Sequence, residues 1–300
     1  MKKALLVIIF NHRYDRNIEK LKRLYQDRFS RICFLVPFYD GACEEVIPVY
    51  ESSYQFPGFL IQAYEKLVKE NADYYFFISD DLILSPDINE DNVLDKLKMQ
   101  DRSLYLDYII PLNSTGNFGW HHARFSSVPF LNKMTKWEDS LPGYETALKK
   151  FYAFFGEAYK ETYGDAFFQT DSEIREDEVS AFVQRNENTL KIPYPMARGY
   201  SDVFMIKAEQ LFSIARLCGI FSAMNMFAEI SFPTAVVLSV PRDEVVTIEE
   251  TKYSRRCGWT AEERNLIEEE YHKEVRALYE RWNHENLYIH PVKLSQWEMP

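Results

Sequence analysis

One buried segment that ends in two acids says most about the architecture of this chain. Residues 74–78, Tyr-Tyr-Phe-Phe-Ile, lead directly into Ser79, Asp80 and Asp81. A continuous apolar run of this length, rich in aromatic residues and closed by Pro86, is typical of a strand that is buried on both faces. Such strands occur in parallel sheets whose two faces are covered by helices. The segment therefore predicts an α/β fold.

The two adjacent carboxylates are costly at the end of a buried strand unless an opposite charge compensates them. A divalent cation with hard oxygen ligands, itself holding phosphate, is the natural compensating charge. Open α/β sheets bind their ligands at the carboxyl ends of the strands. We therefore expect Asp80 and Asp81 to mark a metal and phosphate site at that edge, although a solvated turn with two acids is the simpler alternative.

The rest of the first half alternates between strand and helix patterns. Buried strands are predicted at 4–10, 32–36 and 46–50, and amphipathic helices at 15–27 and 58–70. This alternation indicates βαβ units and a mostly parallel sheet.

The second half is more elaborate but shows no repeat and no linker. Its pattern predicts helices at 92–99, 143–163, 207–218 and 260–282, strands at 104–110, 203–206, 235–240 and 287–294, a polar loop at 113–127 and irregular structure at 170–190. Thr260 and Glu263 form a capping-box sequence at the start of the last helix. A single domain over 1–300 is the simplest account.

Composition excludes some functions. The 300 residues carry a net charge of −11, which argues against nucleic acid as the main partner because that binding depends on cationic contacts to phosphate. Among the four cysteines there is no paired metal spacing, and Cys33 and Cys218 are expected to be buried thiols in a reducing compartment. The apolar stretch at 4–10 is too short for a membrane span. We expect a cytoplasmic protein, with attachment to the inner face of a membrane left open.

Four motifs follow one another along the chain. They are Ser79-Asp80-Asp81, Arg198-Gly199-Tyr200, Phe227-Ala228-Glu229 and the late His290. Their order and context resemble the GT-A fold of nucleotide-sugar glycosyltransferases. The resemblance implies a Rossmann-like, mostly parallel sheet flanked by helices. It also implies a nucleotide-sugar-binding half at 1–112 and an acceptor half at 113–300.

The same resemblance implies roles for the acids. Asp81 and His290 would hold Mn²⁺ or Mg²⁺, and Asp80 would contact ribose or a metal-bound water. Glu229 is the first candidate for the base of an inverting reaction and Asp202 the second; a retaining enzyme would use both for positioning. A structural ion pair for Glu229 and a hydrogen-bonded core histidine at 290 are the alternatives.

The donor would be contacted by Asn11, Arg13, Asp40, Arg198 and Gly199. Arg13 could instead pair with an acid on the following helix, and Asp40 and Gly199 could belong to ordinary turns. The polar loop adds weaker acceptor candidates: Trp120, His121 and His122.

Two departures from the family pattern are visible. Ser79 stands where the first carboxylate of the Asp-x-Asp motif is expected, and only Glu229 is acidic where two positions often are. Both departures leave room for a non-catalytic glycan-binding protein of the same fold.

The prediction is a metal-dependent glycosyltransferase. It would move a sugar from a nucleotide-diphosphate donor, with a UDP-sugar favoured, to a hydroxyl of a glycan or lipid-linked acceptor in surface polysaccharide or glycoconjugate synthesis. The rival enzyme is a sugar-phosphate nucleotidyltransferase, but residues 10–15 lack the glycine-rich phosphate loop that such an enzyme carries after its first strand.

Overall fold

A seven-stranded mixed sheet forms the centre of the protein. The computed structural model describes residues 3–112, 121–131, 137–161 and 192–299. The strands are β1 (Ala4–Ile9), β2 (Ile32–Pro37), β3 (Val46–Val49), β4 (Tyr74–Ser79), β5 (Ile83–Leu84), β6 (Leu104–Leu106), β7 (Ile109–Pro111), β8 (Ala197–Gly199), β9 (Val203–Lys207), β10 (Val245–Val246), β11 (Ser254–Cys257) and β12 (Asn286–His290). The helices are α1 (Arg16–Tyr25), α2 (Gly58–Lys69), α3 (Val93–Lys96), α4 (His121–Leu131), α5 (Tyr144–Phe155), α6 (Ala208–Ala223), α7 (Ala228–Ser239), α8 (Ala261–Glu270) and α9 (Val275–Glu280).

The strand order confirms the predicted α/β class. The central sheet runs β10-β6-β9-β4-β1-β2-β3, and β11-β12-β5 and β7-β8 form two smaller sheets. Strand β1 is parallel to β2 and β4, whereas β9 is antiparallel to both β4 and β6. Because β9 runs against its neighbours, it begins at the edge where the parallel strands end.

The two faces of the sheet are covered by different helices. On one face, Val7 and Phe77 belong to a core with residues of α2, α6 and α7. On the other face, Leu6 and Phe76 join a core with residues of α1, α8 and α9. Side chains alternate between the faces of a strand, so a strand that is buried on both sides must be apolar throughout. This explains the unbroken apolar run at 74–78.

The strand predicted at 235–240 is wrong, because these residues lie mostly in α7. The helix is buried along almost its whole length and contains Pro233. An apolar run that faces protein on all sides has no helical periodicity to reveal it. The β-branched residues Val236 and Val237 therefore suggested a strand.

Three other predictions need correction. The strand at 104–110 is two strands, β6 and β7, which lie in different sheets. The loop at 113–127 is helical from residue 121, while 113–120 lie outside the described residues, as do the predicted irregular residues 170–190. The helix at 260–282 is broken between α8 and α9, where His272 and Lys273 both have positive φ. Side-chain periodicity does not report such a backbone reversal.

Several local predictions are confirmed. Cys33 and Cys218 are buried free thiols. The Thr260 hydroxyl accepts the Glu263 N–H and the Glu263 carboxylate accepts the Thr260 N–H, which is the predicted capping box. Across the described parts of the chain, no helix combines the length and apolar character needed to cross a bilayer.

Candidate functional site

The acids that follow β4 lie at the carboxyl edge of the central sheet. The Asp80 N–H donates to the Ile9 carbonyl at 2.8 Å, which carries the β1–β4 ladder one step beyond the strand. The Ser79 N–H donates to the Asp202 carbonyl at 2.9 Å, because the antiparallel β9 begins at this edge. The sheet order thus brings the predicted acids of the first and second halves together.

Asp80 is the buried member of the pair. Only 3% of the residue is exposed, and its Oδ1 accepts the backbone N–H of Asn11 at 3.0 Å. Burial raises the pKa of Asp80 to about 8, and the negative charge of Asp81 adds to the increase. The carboxyl group of Asp80 therefore ties the end of β4 to the end of β1. Asn11 also donates its side-chain N–H to Asp81 at 3.4 Å, so one residue contacts both acids.

Asp81 lies against His290. Its Oδ1 is 3.3 Å from Nε2 of the imidazole, and 31% of the Asp81 side chain is exposed against 6% of the His290 side chain. Burial lowers the pKa of His290, but the charge and hydrogen bond of Asp81, a hydrogen bond to Cys257 and the charge of Asp202 together raise that pKa well above its ordinary value. The other imidazole nitrogen, Nδ1, lies 2.7 Å from the hydroxyl of Tyr200. The two contacts fix the ring plane.

The three-stranded sheet β11-β12-β5 explains how His290, near the end of the chain, reaches Asp81. Strand β5 starts two residues after Asp81, and its Ile83 pairs with Ile289 of β12. The Val292 N–H then donates to the Asp81 carbonyl at 2.7 Å. Since β12 is held on its other side by β11, the sheet fixes His290 beside Asp81.

Asp202 and Glu229 form a second acidic pair at this edge. The Ser79 hydroxyl donates to the Asp202 carboxylate at 2.9 Å, and burial raises the pKa of Asp202 against the opposing charge of His290. Glu229 lies in the first turn of α7. Burial raises the pKa of Glu229 to about 7, the charge of Asp202 adds to this, and Arg198 opposes it.

Arg198 and Gly199 lie in a strand, where a turn was predicted. Gly199 pairs with Ile109, and a Cβ added to it would lie 2.4 Å from the Tyr108 carbonyl oxygen and 2.9 Å from Pro233 Cγ. The close approach of Tyr108 and Pro233 to this position of β8 therefore requires glycine here. This packing accounts for the glycine, and contact with a donor is a separate proposal.

Arg13 and Asp40 pair with each other at the exposed ends of β1 and β2. The Arg13 guanidinium hydrogen-bonds the Asp40 carboxylate, and that bond lowers the pKa of Asp40. Arg13 also contacts Asp15, which precedes α1, and donates to the Phe38 carbonyl at 3.1 Å. The structure thus joins two of the residues predicted to contact the donor, in an arrangement that surface ion pairs alone also explain.

The acceptor candidates are only partly visible. Trp120 and the side chain of His121 lie outside the described residues. The His122 ring stacks on Phe227 with centroids 3.8 Å apart and planes 9° apart. Because Phe227 precedes α7, His122 lies close to the helix start that carries Glu229.

Sequence reasoning missed Arg255 of β11. Its Nη1 lies 3.1 Å from Oδ2 of Asp107, which is fully buried. The guanidinium group sits 5.2 Å from the ring centre of Tyr108 and 5.6 Å from that of Tyr200. Arg255 also lowers the pKa of Glu229, although less than burial raises it. Residues 254–257, Ser-Arg-Arg-Cys, have no apolar periodicity that would have revealed a strand at this site.

The residues present fit a divalent cation that takes few ligands from the protein. Within the described ranges, no three His, Cys, Asp or Glu side chains converge as a metal cluster. Asp81 and His290 supply one carboxylate and one imidazole, and Tyr200 gives the histidine the outer hydrogen bond usual for a metal ligand. Cations that bind nucleotide phosphates usually take one or two protein carboxylates and complete their shell with phosphate and water.

Comparison with known proteins gives structural similarities only. No family model and no curated protein sequence matches the chain. Core-mannan synthase A (CmsA/Ktr4) from Aspergillus fumigatus, in its Mn/GDP form, has a TM-score of 0.39 at 12% identity, covering 84% of this chain and 74% of that one. The mannosyltransferase Ktr4p from S. cerevisiae has a TM-score of 0.41 at 10% identity, covering 83% and 69%, and its complex with GDP one of 0.40 at 10%, covering 83% and 70%. The chain is thus structurally similar to these glycosyltransferases, and the roles of its residues rest on its own geometry.

Proposed function

We propose that this protein is a metal-dependent glycosyltransferase that uses a nucleotide-diphosphate sugar. The observation that carries the proposal is the placement of two acidic pairs at one sheet edge: Asp80 with Asp81, which lies against His290, and Asp202 with Glu229. Burial raises the pKa values of three of these carboxyl groups, those of Asp80, Asp202 and Glu229, and such perturbed groups tend to cluster at functional sites. Their place at the carboxyl ends of the strands is where α/β sheets bind ligands.

Asp81 and His290 are the residues that would hold Mn²⁺ or Mg²⁺. A cation bound there supplies positive charge to a diphosphate leaving group. Asn11 holds both acids in place, through its backbone N–H to Asp80 and its side chain to Asp81. Tyr200 keeps the Nε2 atom of His290 turned toward Asp81.

Two arginines add fixed positive charge near the acids. The charges of Arg198 and Arg255 both lower the pKa of Glu229, and 35% of the Arg255 side chain is exposed. Asp107 and the two flanking tyrosine rings hold the Arg255 guanidinium in one orientation. A pre-oriented cation of this kind stabilises negative charge that develops as the sugar–phosphate bond breaks.

Glu229 is the better of the two base candidates. A general base works best when its pKa lies near the working pH, and the pKa of Glu229 is about 7. Asp202 already accepts a hydrogen bond from Ser79, so it suits a positioning role. In an inverting reaction Glu229 would accept the proton of the acceptor hydroxyl; in a retaining reaction both acids would orient the substrates.

The nucleotide would lie along the ends of β1 and β2. Arg13 and Asp40 are there, and beside them stand two exposed rings, Phe38 and Tyr50, with centroids 6.0 Å apart. Aromatic faces of this kind accept a base by stacking. A UDP-sugar remains the favoured donor within this proposal, and a glycan or lipid-linked hydroxyl the acceptor, with His122 near the acceptor side.

The test is calorimetric titration with UDP, GDP, CDP and dTDP, each in Mn²⁺ and in EDTA. We expect one nucleoside diphosphate to bind only with metal. Asp81→Ala should weaken that binding by at least about tenfold, as loss of a metal contact does. The matched control is Asp91→Ala, an exposed aspartate in the loop before α3, which should bind as the wild type does.

Three outcomes would contradict the proposal. Full transfer activity of Asp81→Ala in excess Mn²⁺ would refute the assignment of Asp81 as a metal ligand. Release of pyrophosphate, where nucleoside diphosphate is expected, would make the protein a nucleotidyltransferase. Glycan binding without any metal-dependent nucleotide binding would favour the non-catalytic alternative.

A further inference from the structure

Trp259 is exposed beside the candidate site. It lies two residues after the end of β11, and 56% of the residue is accessible to solvent. An indole is among the largest apolar side chains, so leaving it in water forgoes a substantial burial energy. The position of this ring therefore calls for a ligand or a structural reason.

The backbone on both sides of Trp259 is held in place. The Gly258 N–H donates to the His290 carbonyl at 2.9 Å, and Thr260 is locked by the capping box of α8. The Trp259 carbonyl itself accepts from Arg264 at 2.9 Å. The ring is thus presented from a fixed backbone between a strand and a helix.

The ring lies directly against the residues of the site. Its centroid is 5.6 Å from that of His290 and 5.7 Å from that of Tyr200, with interplanar angles of 61° and 82°. Both contacts are edge-to-face, an arrangement that fixes the orientation of an aromatic ring. Among the described residues, Trp259 thus packs against the imidazole that pairs with Asp81 and still leaves more than half of its surface accessible.

We propose that Trp259 is a stacking platform for a pyranose ring at the metal side of the site. A sugar presents a face of C–H groups, which carry slight positive charge, and an aromatic face carries the complementary negative charge. Binding sites commonly combine such aromatic walls with a few polar groups that fix orientation. The proposal rests on the proposed glycosyl transfer for its choice of ligand, and the sugar can belong to the donor or to the acceptor.

The experiment compares Trp259→Ala and Trp259→Phe with a matched control. Phe212→Ala removes another exposed ring, 50% accessible, which packs on Tyr64 of α2. Thermal unfolding first establishes that the variants fold. Each protein is then titrated with UDP and GDP, with UDP-glucose and GDP-mannose, and with the methyl pyranosides of glucose, mannose and galactose. The nucleotides are measured by calorimetry in Mn²⁺ and the methyl glycosides by saturation-transfer NMR.

We expect Trp259→Ala to bind a sugar-bearing probe about tenfold more weakly than wild type, because one good aromatic contact is lost. The nucleoside diphosphates should bind the variant within about twofold of their wild-type affinity. Trp259→Phe should recover most of the affinity, and Phe212→Ala should change nothing. Loss confined to the nucleotide sugars assigns the platform to the donor sugar. Loss with the methyl glycosides assigns it to the acceptor.

The proposal would be overturned if all sugar probes bound wild type and Trp259→Ala with equal affinity. It would also be overturned if Trp259→Ala lost as much affinity for UDP or GDP as for the sugar-bearing probes. The proposed function fails separately if wild type binds no nucleoside diphosphate in Mn²⁺. In that case the methyl glycosides still decide: weaker binding by Trp259→Ala supports the platform, and unchanged or absent binding overturns it.

Discussion

Replacing Glu229 by glutamine should stabilise the protein above neutral pH while abolishing the proposed role of this residue as a base. Burial raises the pKa of this carboxyl group from 4.5 to about 7. The folded state therefore holds a proton that the unfolded state releases between these two values. The contribution of this group to the free energy of unfolding is therefore fully present below about pH 4.5 and is lost as the pH rises through about 7.

The size of the effect follows from the pKa difference. Each unit corresponds to about 1.4 kcal/mol, so the ionised carboxylate costs the folded state about 3 kcal/mol above pH 7. Glutamine is nearly isosteric and never ionises, so Glu229→Gln avoids this cost. Part of this cost is repulsion from the charge of Asp202, which the neutral glutamine does not feel.

The assay is urea unfolding of wild type and Glu229→Gln from about pH 4 to about pH 8.5, with the difference in unfolding free energy plotted against pH. We expect a difference near zero at the acidic end that grows in favour of the variant to about 3 kcal/mol. Glu65→Gln, at an exposed position of α2, is the control and should give a flat difference, since solvent screens a surface carboxylate. In the wild type, transfer activity should rise with pH through about 7 as the base ionises.

A flat difference for Glu229→Gln would refute the reasoning about burial. A variant that is less stable than wild type at high pH would show that Arg198 and Arg255 over-compensate the carboxylate. Glu229 would then be one partner of a structural ion pair with these arginines, and its replacement would remove that attraction.

Two further predictions concern the framework of the site. Gly199→Ala should destabilise the fold by about 1–3 kcal/mol, because its Cβ would overlap the Tyr108 carbonyl, whereas Gly143→Ala, with no atom within 4 Å of the new Cβ, should change stability by less than about 1 kcal/mol; equal thermal shifts would contradict this. Thr260→Ala should cost about 1 kcal/mol through loss of the N-cap of α8, and Thr260→Ser should restore it; a Thr260→Ala unfolding midpoint equal to wild type would show that the cap is dispensable.

Elements with local signals were predictable from the sequence. Five elements lie close to their expected positions: β1, β2, β4, α1 and α2. Their signals, an apolar run or a helical stripe, depend only on residues close together in the sequence. The failure at 235–240 shows the limit of the method. Helix α7 is buried on all sides, so its apolar residues carry no periodicity that distinguishes a helix from a strand.

The same distinction between local signals and tertiary packing applies to the candidate site. That Asp80 and Asp81 end a buried strand, at the edge where α/β sheets commonly bind ligands, follows from the sequence by itself, because an apolar run and the acids that close it are local features. That Asp81 contacts His290, or that Arg255 pairs with Asp107, depends on β9 running antiparallel and on β12 pairing with β5. Only the tertiary structure decided these contacts, since strand order depends on how distant segments pack, which no local pattern records.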